Sequence, residues 1–208
     1  MPNWCENKLT VRGSKEALIN FIKKHIPFKE DDCQECYLDL KSIIPEPRTP
    51  EECDPAFVIK QDEDRHLVLR EGREWFDWYG WHCKYWDTKW NTSDGYLVDC
   101  LDNGFITLWF YTAWSPCINP IEKLIEMYPD LEFEYRYFEP GMFFCGSIEK
   151  ENGQYHEFYS DDEQEIRKFS IEYGFLPEDY WEEYDKEWST DSGIEVDFTC
   201  EDTKGDDA

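Results

Sequence analysis

No run of apolar residues in this chain is long enough to cross a bilayer. The longest, such as Phe105-Ile106-Thr107-Leu108-Trp109-Phe110-Tyr111, fall far short of the roughly 20 residues that a spanning helix needs. The opening Met1-Pro2-Asn3-Trp4-Cys5-Glu6-Asn7 lacks both the basic and the apolar region of a secretory signal, so a cytoplasmic setting is the expectation. Histidine is scarce, with only His25, His66, His82 and His156. No Gly-rich phosphate loop, Gly-x-Ser-x-Gly or His-Glu-x-x-His motif occurs, and these are the arrangements that cradle phosphate, expose a serine nucleophile or hold a catalytic zinc. Paired carboxylates abound, but among 48 acidic residues a pair is what chance supplies. No catalytic residue is assigned, and a non-enzymatic role is expected.

Dense cysteine spacing is also missing. The nine cysteines are an odd number scattered along the chain, unlike a disulfide-built secreted scaffold, and they read as reduced thiols. Basic residues are few: 21 Lys and Arg leave a formal net charge of −27. Residues 151–208 hold 20 of the acidic residues and only 4 of the basic ones. Such a field repels nucleic-acid phosphates and anionic lipid headgroups and favours basic protein surfaces. Direct nucleic-acid binding and membrane binding are therefore not expected. High charge with low hydropathy ordinarily signals disorder, yet 14 Phe, 13 Tyr and 10 Trp offer large surfaces to bury, so a folded chain with an acidic exterior is expected.

Periodicity places a strand at 5–12, closed by Gly13, and a helix capped by Ser14 that runs to about His25 with Leu18, Ile19, Phe21 and Ile22 on one side. A second strand is expected at 37–44, ahead of the extended stretch Pro45-Glu46-Pro47-Arg48-Thr49-Pro50. A helical reading fits about 62–86, where Trp75, Trp78, Tyr79, His82 and Trp86 recur at three- and four-residue steps. Residues 96–101 and 105–112, joined by Asp102-Asn103-Gly104, make a hairpin. A helix from Pro120 to Met127 leads to the alternating strand 131–137. A further hairpin turns around Glu151-Asn152-Gly153, helices follow at about 161–173 and 177–187, and a last strand at 194–200. The order is a split βαβ pattern, so the expected fold is α+β: a ferredoxin-like antiparallel sheet with helices on one face and a helical insertion at about 62–90. Residues 1–140 would form this domain, 141–200 an acidic α/β subdomain packed on it, and 201–208 a disordered tail.

Three blocks carry a resemblance. The opening Met1-Pro2-Asn3-Trp4-Cys5-Glu6-Asn7, the block Trp75-Phe76-Asp77-Trp78-Tyr79 leading to Trp86-Asp87-Thr88-Lys89-Trp90, and Phe110-Tyr111-Thr112-Ala113-Trp114-Ser115-Pro116 together resemble the YubB-type ferredoxin-like proteins of plasmids and bacteriophages, over about residues 1–140. The resemblance implies a ferredoxin-like fold without iron–sulfur chemistry and residence on mobile genetic elements. Asp87 stands where that pattern has Gly, and Cys117 where it has a second Pro.

Three constellations compete for function. Trp75, Trp78, Tyr79, His82, Trp86, Lys89, Trp90 and Trp114 could form an aromatic wall that stacks a base or nucleotide, with Lys89 supplying a cation. The same spacing equally describes a core, which is the favoured reading, and periodicity does not separate the two. Cys33-Gln34-Glu35-Cys36 has the spacing of a zinc knuckle, and Cys53, His66, His82 and Cys83 could complete its four ligands, but a second Cys-x-x-Cys is missing, so no cofactor is expected beyond a structural zinc. Finally, Glu178, Asp179, Glu182, Glu183, Asp185 and Glu187 interleave with Tyr180, Trp181, Tyr184 and Trp188. A row of carboxylates on a rigid element can imitate the charge of a nucleic acid. The leading expectation is a non-catalytic accessory protein of a phage or plasmid that binds a basic host protein, such as a defence or nucleic-acid-handling factor, through this face. The alternative is a small-ligand or nucleotide-binding module using the Trp-rich segment, and the bland reading of the face is that it only solvates the fold.

Overall fold

The computed structural model describes residues 3–29, 32–59 and 76–191, with backbone alone at 29, 32–34, 99 and 187–191. The expected strand at 194–200, the tail at 201–208 and most of the helical reading at 62–75 lie outside those residues. Contacts divide the chain into two compact units, Met1–Ile166 and Arg167–Ala208.

The first unit begins with β1 (Trp4–Arg12) and α1 (Lys15–His25). Ser14 caps α1 as its spacing predicts, its hydroxyl accepting from the Ala17 amide, and Lys23, Lys24 and His25 crowd the last turn, where cations meet the negative end of the helix dipole. Then come β2 (Phe28–Lys29), β3 (Asp32–Cys36), α2 (Trp78–Tyr85), β4 (Ser93–Cys100), β5 (Phe105–Ala113), α3 (Ile118–Met127), β6 (Glu132–Glu139), β7 (Phe144–Glu151) and β8 (Gln154–Ser160). The eight strands form one antiparallel sheet in the order β2-β3-β4-β5-β1-β6-β7-β8. At its centre, β1-α1-β4-β5-α3-β6 is the ferredoxin-like pattern, with β1 lying between β5 and β6. The hairpins β2–β3 and β7–β8 widen it at either edge.

Register explains the core. Leu9 and Val11 of β1 stand opposite Leu108 and Ile106 of β5 and Tyr135 and Phe133 of β6. Strand side chains alternate with period two, so these rings and branched chains share one face. They are buried in one cluster with Leu18 and Phe21 of α1 and with Ile121 and Leu124 of α3. Each such side chain contributes roughly 1.5–3 kcal/mol of burial energy. The opposite face carries Glu6, Lys8, Tyr96, Trp109, Tyr111 and Arg136 by the same alternation. At the β6–β7 end that second face is not bare, because Phe138 and Cys145 on it are also fully buried.

The two predicted hairpin turns form as local chemistry requires. Gly104 takes φ 77° after Leu101–Asn103, and Asn152 and Gly153 take φ 51° and 76°, the left-handed pair of a two-residue hairpin.

The expected strand at 37–44 does not form. The strand is β3, four or more residues earlier, and Leu40–Ser42 is a single 3-10 turn. Side chains replace a partner strand here: the Thr92 hydroxyl accepts from the Leu38 amide and donates to its carbonyl, Asn91 accepts from the Leu40 amide, and Asp39 accepts from the Lys41 amide. Leu38, Leu40 and Ile43 are buried, which is why their alternation imitates a strand.

The helix expected across 62–90 is, among the described residues, α2 alone. Asp77 caps it at Gly80 and it stops before Asp87, whose φ of 61° is incompatible with a right-handed helix. The boundary expected near residue 140 also moves. β7 pairs with β6 along its length, so residues 144–160 belong to the sheet, and the division falls within α4 (Glu163–Tyr173).

In the second unit, α5 (Glu178–Asp191) turns Trp181 inward, where its indole N–H donates to the Ser170 hydroxyl at 2.9 Å. Arg167 meets Asp185 through two hydrogen bonds of 2.8 and 2.7 Å and lies over the rings of Trp181 and Tyr184.

Candidate functional site

The three sequence blocks converge. The Thr88 hydroxyl donates to the carbonyl of Ala113 and accepts from its amide, both at 3.0 Å, and the Ser115 hydroxyl donates to the Asp87 carbonyl. The Trp114 amide donates to the Asn3 carbonyl at 2.9 Å. Below this junction the opening block supplies Asn7, fully buried, whose amide group donates to the Cys5 and Phe110 carbonyls and to Thr112, while Tyr135 donates to its side-chain oxygen at 2.6 Å. Burying an amide is tolerable only with its bonds satisfied, and this one is.

Both departures from the resemblance pattern have structural partners. Asp87 occupies a left-handed conformation that a glycine would enter without cost. Its carboxylate recovers the difference by accepting from the Asn119 amide at 2.6 Å and side chain at 2.8 Å, capping α3 from another segment. Burial pushes its carboxyl above the usual range, and the Asn119 hydrogen bond pulls the other way. The Cys117 amide donates to the Tyr135 hydroxyl at 3.2 Å, a bond that proline cannot make; burial raises its thiol to about 12.

The Trp-rich segment splits in two. Trp86 is fully buried, with Trp81 and His82 nearly so. The Trp86 indole donates to the Ile44 carbonyl at 2.9 Å, and His82 stacks on it with centroids 4.0 Å apart. His82 is held on both nitrogens, Nδ1 against the Lys89 carbonyl and Nε2 against Glu46, each at 2.8 Å. A carbonyl only accepts, so Nδ1 carries hydrogen, and neither nitrogen is left for a ligand. Trp78, Tyr79, Trp90 and Trp114, by contrast, are 39–51% exposed. Lys89 Nζ lies 5.7 Å from the Tyr79 ring centre and 4.4 Å from that of Trp90, cation–π distances, and Trp90 approaches Trp4 at 6.4 Å. Trp114 holds φ 75°, a conformation that costs a non-glycine residue on the order of 1 kcal/mol or more. Trp75 lies outside the described residues. Trp86 and His82 are thus core residues, while Trp78, Tyr79 and Trp90 form an exposed rim bridged by Lys89, and Trp114 is exposed as well.

His25 is a second enclosed imidazole. The Ser42 hydroxyl donates to the Asp39 carbonyl and so accepts from His25 Nδ1 at 2.6 Å; the Tyr128 hydroxyl supplies Nε2 at 2.8 Å. Burial, then the nearby Lys24, lower its pKa to about 4, so it is a neutral core histidine.

The cysteines of the zinc reading are placed as follows. Cys36 is buried in β3 and Cys53 is buried in the loop before Asp54. Burial, with Glu35 adding to it, raises the Cys36 thiol to about 11, and Cys53 is raised by burial and Asp54. The Cys33 side chain lies outside the described residues. Among the described residues no three His, Cys, Asp or Glu side chains gather as a metal site would require, and no helix is long and apolar enough to cross a membrane.

On α5, Glu178, Asp179, Glu182, Glu183 and Asp185 are exposed, and Glu187 lies on the same helix with its side chain undescribed. Arg167 holds Asp185 below the usual carboxylate range.

Residues 85–175 match the family model of the ferredoxin-like domain in Api92-like protein. The match covers β4 through α4 and supports the ferredoxin-like assignment. No curated protein and no solved structure matches the chain. Sequence reasoning missed Asn119 and Glu46, whose partners lie 32 and 36 residues away; no local pattern announces such pairs.

Proposed function

We propose that this is a non-catalytic accessory protein of a phage or plasmid, acting in the cytoplasm by binding a basic host protein through the carboxylates of α5. The observation that carries the proposal is the division of labour on that helix. Trp181 faces inward with Tyr184 beside Arg167, while Glu178, Asp179, Glu182 and Glu183 face solvent. Folding does not require this charge; like charges along one helix oppose it. A rigid row of carboxylates offers a basic groove the field it is built to receive, as a nucleic-acid backbone would. The absence of a catalytic motif and the enclosure of both His25 and His82 favour binding over chemistry. Immobilised protein should retain a basic partner from host lysate at low salt and release it as salt rises, and a Glu182→Lys/Glu183→Lys variant should lose it while remaining folded. Retention that ignores both salt and charge reversal would sink the proposal.

A second reading has its own support: the exposed rim of Trp78, Tyr79 and Trp90 with Lys89 suits a stacked ring bearing negative charge, such as a nucleotide. Thermal-shift and tryptophan-fluorescence titrations with ATP, GTP and their monophosphates test it, and a flat response to all of them removes it.

A further inference from the structure

On the sheet face opposite α1 and α3, cross-strand partners share a side. Register therefore sets two neighbouring rows: Glu6, Tyr111 and Ser93 in one, Lys8, Trp109 and Tyr96 in the next. The one charge in the second row is occupied, since Lys8 Nζ lies 4.8 Å from the Trp109 ring centre, and Tyr96 stacks on the same ring at 6.1 Å. The first row differs. Glu6 is half-buried, and loss of hydration alone pushes its carboxyl upward, with no cation or donor acting on it. No hydrogen bond or ion pair reaches that carboxylate from the described residues. The buried hydroxyl of Ser93, further along the row, also has no hydrogen-bond partner.

The frame around Glu6 is aromatic, open toward β5 and β4 and closed toward β6, where its partner Phe138 is fully buried. Tyr96 is 51% exposed and Tyr111 36%, and burial together with the nearby Glu6 raises both phenols. The strand that presents Tyr96 is bulged. Its register shifts between Ser93 and Tyr96, Asp94 takes φ 48°, and Gly95 is packed so closely on the carbonyls of Trp109 and Cys36 that a Cβ would not fit. Bulges of this kind re-aim a side chain, and this one sets Tyr96 in the neighbouring row, two strands from Glu6, with its ring stacked on Trp109 at 6.1 Å.

We infer that Glu6, framed by Tyr96 and Tyr111, receives the guanidinium of an arginine-bearing segment of a basic protein partner. The inference rests on the reading of this protein as a binder of basic proteins and gives that partner a second point of attachment, on the sheet. A guanidinium is planar, stacks on phenol faces and donates to a carboxylate and a hydroxyl at once. It matches a lone carboxylate with two tyrosines on its β5 and β4 side better than an ammonium does, and it offsets the lost hydration of Glu6.

An acetylated, amidated tetra-arginine peptide titrated into the full chain by calorimetry tests this. Expected are tighter binding than to tetra-lysine, and a Kd at least tenfold weaker for Glu6→Gln. Diffuse attraction to a chain of net charge −27 changes little when one carboxylate is removed, so a tenfold loss reports a site. Tyr96→Ser, on a half-exposed ring, should weaken binding about threefold to tenfold and guards against misfolding of the Glu6 variant. The Glu182→Lys/Glu183→Lys variant should bind the peptide within threefold of wild type. Wild-type affinity in both Glu6→Gln and Tyr96→Ser, or an equal loss in the α5 variant, overturns the inference. The outcomes are separable: salt-sensitive partner capture can fail while the Glu6 effect stands, and the reverse.

Discussion

In the unit Met1–Ile166, aromatic and polar side chains are fixed by partners far away in sequence. Tyr135 reaches Asn7 across 128 residues, Trp86 reaches Ile44 across 42, and Thr88 clasps Ala113 across 25. In the unit Arg167–Ala208 the corresponding bonds are short-range: Trp181 to Ser170 across 11 residues and Arg167 to Asp185 across 18. The difference assigns separate work to the two regions. The first spends its unusual residues on holding a broad sheet together and leaves a few of them at the surface. The second folds on a small inward stripe, ties Asp185 to Arg167, and leaves Glu178, Asp179, Glu182 and Glu183 exposed. Substitutions at the long-range bonds of the first unit should therefore register as lost stability, and substitutions at the exposed carboxylates of α5 as lost binding.

The largest loss is expected for Trp86→Ala. The ring is fully buried and its indole is satisfied by Ile44, so truncation leaves a cavity and an unpaired carbonyl, costing about 4 kcal/mol; urea unfolding followed by circular dichroism measures it. Glu46→Gln comes next. It takes the negative charge from the acceptor that His82 Nε2 meets at 2.8 Å, both side chains being only 8% and 9% exposed, and weakening a buried hydrogen bond to a charged group costs about 1.5 kcal/mol or more. If either substitution is neutral, the long-range bonds of the first unit are ornaments of the fold and the contrast fails.

Stability in acid sharpens the same contrast. His25 titrates near 6.5 when unfolded and at about 4 when folded, so between those values the unfolded chain binds the extra proton. Stability contributed by neutral His25 is complete above pH 6.5, falls as the pH drops toward 4, and changes no further below it. The full span amounts to about 3 kcal/mol. Glu6 and Asp87, raised by burial, act in the opposite sense as they protonate. The clean measurement is thus the difference between wild type and His25→Gln, which should shrink by about that amount as the pH falls through this window.

How far the sequence reveals all this depends on the range of the interactions. Gly104, Gly153 and Ser14 act within four residues, and each turn or cap stands where it is expected. The strand misplaced at 37–44 depends on Asn91 and Thr92, 51 and 54 residues away, and a hydroxyl standing in for a strand leaves no periodic trace. The Trp-rich segment is legible as aromatic but not as divided. Asp77 sets the start of α2, and that start fixes which rings turn inward: Trp81, His82 and Trp86 are buried while Trp78 and Tyr79 are not. The row of Glu6, Tyr111 and Ser93 becomes visible only once register is known, because its members come from three strands.

A smaller effect probes the junction of the blocks. Asp87→Gly relieves a left-handed conformation but removes both Asn119 bonds. The cap outweighs the relief, so a net loss of about 1 kcal/mol is expected, whereas Asp87→Ala, which keeps the strain and loses the bonds, should cost more. The two thermal midpoints, compared side by side, decide whether the carboxylate or the backbone conformation is what this position contributes.

The smallest change in stability should accompany the largest change in binding. Glu182→Lys/Glu183→Lys alters exposed side chains, and surface changes of this kind stay within about 0.5 kcal/mol. The double variant nevertheless reverses two charges at the centre of the proposed docking row, so partner capture at low salt should fall steeply while the unfolding curve barely moves. Trp86→Ala is expected to do the opposite under conditions where it remains folded. A double variant that unfolds would show that the carboxylates of α5 serve the fold after all, one that binds as wild type does would show that they do not serve binding, and after either the separation of work between the two units would have to be abandoned.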